Sequence, residues 1–284
     1  IAALTGDMTN METMFALKEF FEKTIRSENL DSRVDDLYVN TSERENYLLN
    51  SSIEGIEDSD LIILIGANPR FEATMLNSRI RKAYLKNHTD IFCLGDIGDL
   101  NYPYEVLDNS TKTIKDIVNH THRISEKIHN SKKPIFLIGQ SALKLKSSPF
   151  LFEELKKYLI KNDKINDNWN ALNILSNDAS TVGSNYLNIF SSNDGTNKTI
   201  DKISNNKIDV LFLFGQENLK INKKNEFIIY VGSHGDKGAN LADIILPGAA
   251  YTEQDGYFAN IEGKIQKAYK ASYPPGEAKE DWQI

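Results

Sequence analysis

Apolar residues in this chain come in short unbroken blocks separated by longer stretches of mixed polarity. Leu61-Ile62-Ile63-Leu64-Ile65 is closed by Gly66, Pro134-Ile135-Phe136-Leu137-Ile138 by Gly139, and Val210-Leu211-Phe212-Leu213-Phe214 by Gly215. Ile91 to Gly95, Ala171 to Leu175, Phe227 to Val231 and Ile244 to Leu246 repeat the pattern. A continuous apolar run ended by glycine fits a strand buried on both faces, as parallel sheets require. Between these runs the period changes. Met11, Met14, Phe15, Leu17, Phe20 and Phe21 recur at three-to-four spacing behind a capping Thr9 or Asn10, which predicts an amphipathic helix. Phe71 to Asn87 and Phe150 to Lys161 predict further helices. Thr111 to Asn130, with Ile114, Ile117, Val118, Ile124 and Ile128, predicts one long one. Residues 27–52 and 176–199 are polar and turn-rich, the second with room for short helical pieces.

Strands alternating with helices predict an α/β fold with mainly parallel sheets and right-handed crossovers. Two stretches echo each other: Asp60 through Gly66 and Asn68, and Asp209 through Gly215 and Asn218, each an acid, five apolar residues, a glycine and then an asparagine. The echo suggests two related Rossmann-like lobes facing each other, although any strand–helix unit of a parallel sheet reads similarly. Taken in chain order, the lobes span 1–131 and 132–250, with a C-terminal loop and helix start over 251–284. The opening Thr5-Gly6 reads as the end of a strand and Asp281-Trp282 as the start of a helix, so both ends are expected to be cut from a longer polypeptide.

Composition narrows the function classes. The chain has 284 residues and a net charge of −7 with acids and lysines interspersed, which argues against a nucleic-acid face. The longest uncharged apolar run, Leu61 to Ala67, is far short of the roughly 20 residues a membrane helix needs, so no direct membrane insertion is expected. Cys93 is the sole cysteine. It excludes an intramolecular disulfide and any all-cysteine iron–sulfur cluster held by these residues alone, and its apolar setting predicts a buried, metal-free thiol. His120 and His122 are two apart and face different sides of a helix, and no carboxylate accompanies them in a metal-binding motif.

Candidate chemistry sits where strands end. Gly66-Ala67-Asn68-Pro69-Arg70 is a strand-to-helix turn whose free N–H groups and Arg70 suit a phosphate, and which equally suits an ordinary turn with a solvated arginine. The partner turn Gly215-Gln216-Glu217-Asn218-Leu219-Lys220 is a poorer anion site, because Glu217 repels phosphate and Leu219 stands where the first turn has proline. Gly232-Ser233-His234-Gly235-Asp236-Lys237-Gly238 brings a histidine near an aspartate but shows no nucleophile motif, so it reads as a structural loop. Glu253, Asn260 and Glu262 follow the last strand and could satisfy buried backbone as well as grip a ligand.

The order of the final motifs carries more information than any one of them. Gly235-Asp236-Lys237-Gly238-Ala239, Leu246-Pro247-Gly248-Ala249-Ala250-Tyr251-Thr252-Glu253 and Asn260-Ile261-Glu262-Gly263-Lys264-Ile265-Gln266 together resemble the molybdopterin oxidoreductase superfamily. With Ile65 to Ala73, Asn77 to Lys82, Gly139 to Leu143 and Trp169 to Leu175 in their places, the chain is most similar to the C-terminal part of the large iron–sulfur subunits of respiratory complex I. That resemblance implies a molybdopterin oxidoreductase-like fold that is a relic: no catalytic residue, no metal, no cofactor held here, and a vestigial cleft marked by Asn68, Arg70, Glu253, Asn260 and Glu262. It implies [2Fe-2S] and [4Fe-4S] clusters in an N-terminal part of the parent, and partners among the other hydrophilic-arm subunits of complex I. It further implies a place on the matrix side of the mitochondrial inner membrane, or on the cytoplasmic face of a bacterial one. The alternative is an active molybdopterin-dependent module with Asn68, Arg70, Glu253 and Asn260 lining the pterin cleft.

Overall fold

The computed structural model describes residues 1–34, 37–190, 198–219, 221–235 and 237–284. Lys220, Asp236 and residues 191–197 of the polar stretch therefore lie outside the described residues. In chain order the strands are β1 (Ala2–Thr5), β2 (Leu30–Asp31), β3 (Leu61–Ile65), β4 (Asp90–Leu94), β5 (Glu105–Asp108), β6 (Pro134–Ile138), β7 (Ile165–Asn166), β8 (Trp169–Asn170) and β9 (Leu172–Ile174). They continue with β10 (Val210–Phe214), β11 (Phe227–Gly232), β12 (Ile244–Pro247), β13 (Gly256–Ala259) and β14 (Ile265–Ala268). The chain forms two units, Leu37–Asn177 and the discontinuous pair Ile1–Asp36 with Asp178–Ile284.

The Leu37–Asn177 unit is built on a parallel sheet of order β5-β4-β3-β6-β9. Its central strand β3 is buried along its whole length, as the unbroken apolar run requires. Alternate residues Leu61, Ile63 and Ile65 face a core shared with Ile114, Ile117, Ile124 and Ile128, and with Leu151, Leu155 and Leu159 of helix Ser148–Lys161. The discontinuous unit has a second parallel sheet, β12-β11-β10-β1-β2. Ala2, Leu4, Leu211 and Leu213 enter one core, and Ala3, Phe212 and Phe214 enter another with Met14, Leu17 and Phe21 of the first helical segment. Period-two alternation puts these cores on opposite faces. The expected α/β class with two mainly parallel Rossmann-like sheets is what the chain forms.

The two sheets have the same spatial order with the chain cyclically permuted. β10, β11 and β12 stand where β3, β4 and β5 stand, and β1 and β2 take the places of β6 and β9. This corrects the division at 131 and 132. β6 pairs with β3 from Leu61↔Pro134 to Ile65↔Ile138, so that cut would split one sheet, while β1 pairs with β10 from Ala2↔Leu211 onward. A cut at each new apolar run follows chain order, whereas parallel pairing follows register across long connections.

Other differences are local. The long helix expected over Thr111 to Asn130 is two, Thr111–Val118 and Ser125–Asn130. His120 turns left-handed at φ 58°, and the carbonyl of Asp116 accepts the N–H groups of Thr121 at 2.9 Å and His122 at 3.2 Å, closing the first helix. The helix expected from Phe71 starts earlier, as Pro69–Glu72, and restarts as Thr74–Asn87 after Ala73. The stretch 251–284, read as loop and helix start, contains the antiparallel hairpin β13–β14 and ends in a 3₁₀ turn at Asp281–Gln283.

At the strand ends of each sheet a glycine leaves no room for a side chain. A Cβ on Gly139 would stand 2.3 Å from the carbonyl oxygen of Gly66, and one on Gly6 would stand 1.9 Å from that of Gly215. Gly139→Ala and Gly6→Ala are each expected to lower stability by about 2–3 kcal/mol. Gly98→Ala, with φ +77° and open space around it, should cost only about 1 kcal/mol. Denaturant midpoints of the variants check this ranking.

Candidate functional site

The site of the Leu37–Asn177 unit lies beyond the carboxyl ends of β3, β4 and β6, where open α/β sheets hold ligands. Gly66 reverses the chain at φ +58°, and its carbonyl accepts the Ser141 hydroxyl at 2.6 Å. Pro69 then opens a helical turn, and the carbonyl of Asn68 accepts the N–H groups of Phe71 at 3.1 Å and Glu72 at 2.9 Å. The Asn68 side chain donates to the carbonyl of Ile97 at 3.0 Å. Arg70 reaches the same segment, donating to the Asp99 backbone at 2.6 Å and its carboxylate at 2.7 Å. The Asn101 N–H first and Arg70 second hold the Asp99 carboxyl below its usual range. Asn68 and Arg70 thus share one task, fixing the loop after β4 to the turn after β3.

The cavity beside this turn measures about 340 Å³ and is lined by Asn68, Glu72, Asp96, Asn109, Ser110, Thr111 and Ser141 among others. Neither Arg70 nor any other lysine or arginine is among the described lining residues. Two buried oxygens, Asn68 Oδ1 and Glu72 Oε2, have no hydrogen-bond partner. Burial raises the Glu72 carboxyl above its ordinary pKa, against the pull of the Asn68 backbone and of Lys144. Sequence reading missed Glu72 and Ser141. Their signals were present, since each sits in the first turn of a helix that follows a strand-end glycine.

The matching turn of the other unit is closed by its own side chains. Gly215 repeats the φ of +58°. The carboxylate of Glu217 accepts the Tyr230 hydroxyl and the Gly238 N–H, the latter at 2.8 Å. Leu219, which replaces the proline of the first turn, is a core residue 4% exposed. Glu253 accepts the N–H of Ala250 at 3.0 Å. Asn260 Oδ1 accepts the N–H groups of Glu262 at 3.1 Å and Lys264 at 2.9 Å, and its amide donates to Glu262 at 3.4 Å, across the β13–β14 turn. The structure therefore brings Asn260 and Glu262 together, keeps Glu253 in its own loop, and places Asn68 and Arg70 in a different unit from all three. Ser233 and His234 meet at 2.8 Å on an exposed loop.

A family profile for molybdopterin oxidoreductases matches residues 1–284. The chain belongs to this family. It is 39% identical to the NADH-ubiquinone oxidoreductase 75 kDa subunit of Reclinomonas americana, over 100% of this chain and 43% of that protein. It is 35% identical to the mitochondrial 78 kDa subunit of the same enzyme in Candida albicans, over 100% of this chain and 38% of that protein. It is 36% identical to an NADH-quinone oxidoreductase subunit of Rickettsia bellii, over 100% of this chain and 40% of that protein. The chain thus spans about two-fifths of the length of these curated relatives. Acetylene hydratase from Pelobacter acetylenicus shares the fold, with a TM-score of 0.52 and 12% identity over 99% of this chain and 54% of that one.

The cofactor that the family's name implies is a poor match for the residues present. A phosphate-bearing pterin would meet Glu72 and Asp96 in the cavity wall with no lysine or arginine in the lining. Arg70 is held by Asp99, and the matching turn presents Glu217. Carboxylates repel phosphate unless a cation neutralises them, and Lys144, the cation that acts on Glu72, is not in the lining. Among the described residues, no group of three or more His, Cys, Asp or Glu could hold a metal ion. Cys93 is a free buried thiol, its pKa pushed up to about 12 by burial and secondarily by Asp96.

Asn260→Ala removes two hydrogen bonds to backbone N–H groups and should destabilise by about 1–3 kcal/mol, whereas Asn68→Ala releases a single carbonyl and should cost about 1 kcal/mol. Urea unfolding of the two variants tests the ranking. Cys93 should resist a bulky maleimide in the folded protein and react promptly in denaturant; rapid labelling of the native form contradicts the burial.

Proposed function

We propose that these residues form the non-catalytic, molybdopterin oxidoreductase-like part of the large iron–sulfur subunit of an NADH:ubiquinone oxidoreductase, respiratory complex I. The relatives supply the enzyme. The observation that carries the non-catalytic reading is the cavity at the end of β3, walled by Glu72 and Asp96 while Arg70 is engaged with Asp99. Asn68, Arg70, Glu253, Asn260 and Glu262 hold their own loops in this reading, and no step of electron transfer runs through them.

The parent subunit would carry its [2Fe-2S] and [4Fe-4S] clusters elsewhere, since a cluster ligated by four thiolates needs more than the one cysteine present. The parent complex takes electrons from NADH to quinone with proton translocation, and the partners of this part are the other hydrophilic-arm subunits. Attachment to the membrane comes through those partners, on the matrix side of the mitochondrial inner membrane or the cytoplasmic face in bacteria. Among the described residues, no helix is long and apolar enough to cross a membrane.

Elemental analysis of the purified complex separates this reading from an active molybdopterin module. Molybdenum and tungsten should both fall far below one per complex, and one equivalent of either overturns the proposal. Asn260→Ala should reduce the amount of assembled complex while NADH-to-quinone turnover per assembled complex stays within about twofold, because a destabilising change away from the chemistry acts on abundance.

A further inference from the structure

The permuted repeat leaves one place in the fold unmatched. In the Leu37–Asn177 unit, the face bearing Ile63 and Ile65 is covered by helix Ser148–Lys161 and by the pair Thr111–Val118 and Ser125–Asn130. Ile114, Ile117, Ile124 and Ile128 of that pair are at most 3% exposed. In the other unit Phe212 and Phe214 hold the places of Ile63 and Ile65, counting back from Gly215 and Gly66. Helix Met11–Phe20 follows β1 as Ser148–Lys161 follows β6, so it is the counterpart of that helix.

Among the described residues, only the short turn Asp281–Gln283 reaches the place of the Thr111–Asn130 pair, and no helix fills it. An apolar groove of about 300 Å³ lies there, lined by Leu17, Phe20, Phe212, Phe214, Val231 and Leu246. Phe20 is 42% exposed at its edge, and Trp282 and Ile284 beside it are 49% and 43% exposed. The Asp281–Gln283 turn packs on helix Met11–Phe20 as Thr111–Val118 packs on Ser148–Lys161. Asp281 Oδ1, at the groove, is buried without a hydrogen-bond partner.

We infer that this groove seats an amphipathic helix supplied by the same polypeptide from outside residues 1–284, lying over β10, β11 and β12 as the Thr111–Asn130 pair lies over β3, β4 and β5. The internal copy defines the occupant's chemistry: apolar residues at three-to-four spacing on one face and polar residues on the other. Covering the groove removes Phe20, Phe212 and Leu246 from water, as Ile114 and Ile117 do for Ile63 and Ile65. The curated relatives have the length to supply it, since this chain covers 43% of the Reclinomonas americana subunit.

The test uses the full-length subunit in its assembled complex. Phe20 is replaced by a benzophenone-bearing amino acid, an aromatic substitution at a partly exposed site, and irradiated products are mapped by mass spectrometry. The expected product joins residue 20 to a peptide of the same polypeptide outside residues 1–284 with apolar residues at helical spacing. A cross-link to another subunit, to a second copy of the subunit, or to no protein at all overturns the proposal. A second measurement does not depend on photochemistry. Ala16→Cys should react with maleimide at least about tenfold more slowly than Lys23→Cys in the assembled complex, because a covered thiol excludes reagent; equal rates also overturn it.

Discussion

Backbone meets backbone at the ends of the central strands, and the rest of each unit depends on that contact. β6 can lie beside β3 with both chains turning away only because Gly139 has no Cβ to strike the Gly66 carbonyl. The left-handed φ of Gly66 turns the chain out of the sheet at that point, so that Pro69 can begin a helix three residues later. Gly6 and Gly215 repeat the arrangement on β1 and β10. Each sheet thereby acquires a crevice at its carboxyl end, which is the physical basis of ligand binding in such folds. Whether a ligand uses the crevice is decided by the side chains that follow the glycine.

Those side chains differ between the units in an instructive way. After Gly215 the chain turns its polar groups onto itself: Gln216 is fully buried and donates to the Thr5 carbonyl at 2.9 Å, and Glu217 accepts from Tyr230 and Gly238. Tyr230 packs so tightly against Gly232 and Gly238 that a Cβ at either would fall within 2.7 Å of its ring or hydroxyl. After Gly66 the closure is incomplete, and two acceptor oxygens remain unpaired beside a cavity. A buried acceptor without a donor costs about 1–3 kcal/mol, so this turn is the less fully satisfied of the two.

Much of the architecture was legible because parallel sheets write themselves as unbroken apolar runs. β3, β6, β10 and β11 could be read directly, as could the glycines that end β3, β6 and β10. Three kinds of information were not local. The permuted pairing of β1 with β10 depends on register between distant segments and leaves no mark in either one. The break after Val118 depends on a left-handed His120, which a run of well-spaced isoleucines conceals. The edge strand β5 is mostly solvent-exposed, so it lacks the buried-strand pattern altogether. At the site, asparagine and arginine after a strand-end glycine were visible, but their partners were not: Ile97, Asp99 and Asn101 lie in a loop whose path the sequence does not fix.

The charges around that loop are arranged against an anionic ligand. Arg70 is the group best suited by type to a phosphate, because its planar guanidinium makes directional paired contacts. Here those contacts go to the Asp99 carbonyl and carboxylate, and Asp99 is itself held by the Asn101 N–H. A ligand would have to displace an intramolecular partner that is already positioned, without the entropy loss of association that the ligand itself incurs. It would also have to approach the carboxylates of Glu72 and Asp96. Both effects oppose an anionic ligand, and the Arg70–Asp99 contacts hold the loop in the absence of one. The loop after β4 therefore keeps its shape whether or not anything is bound.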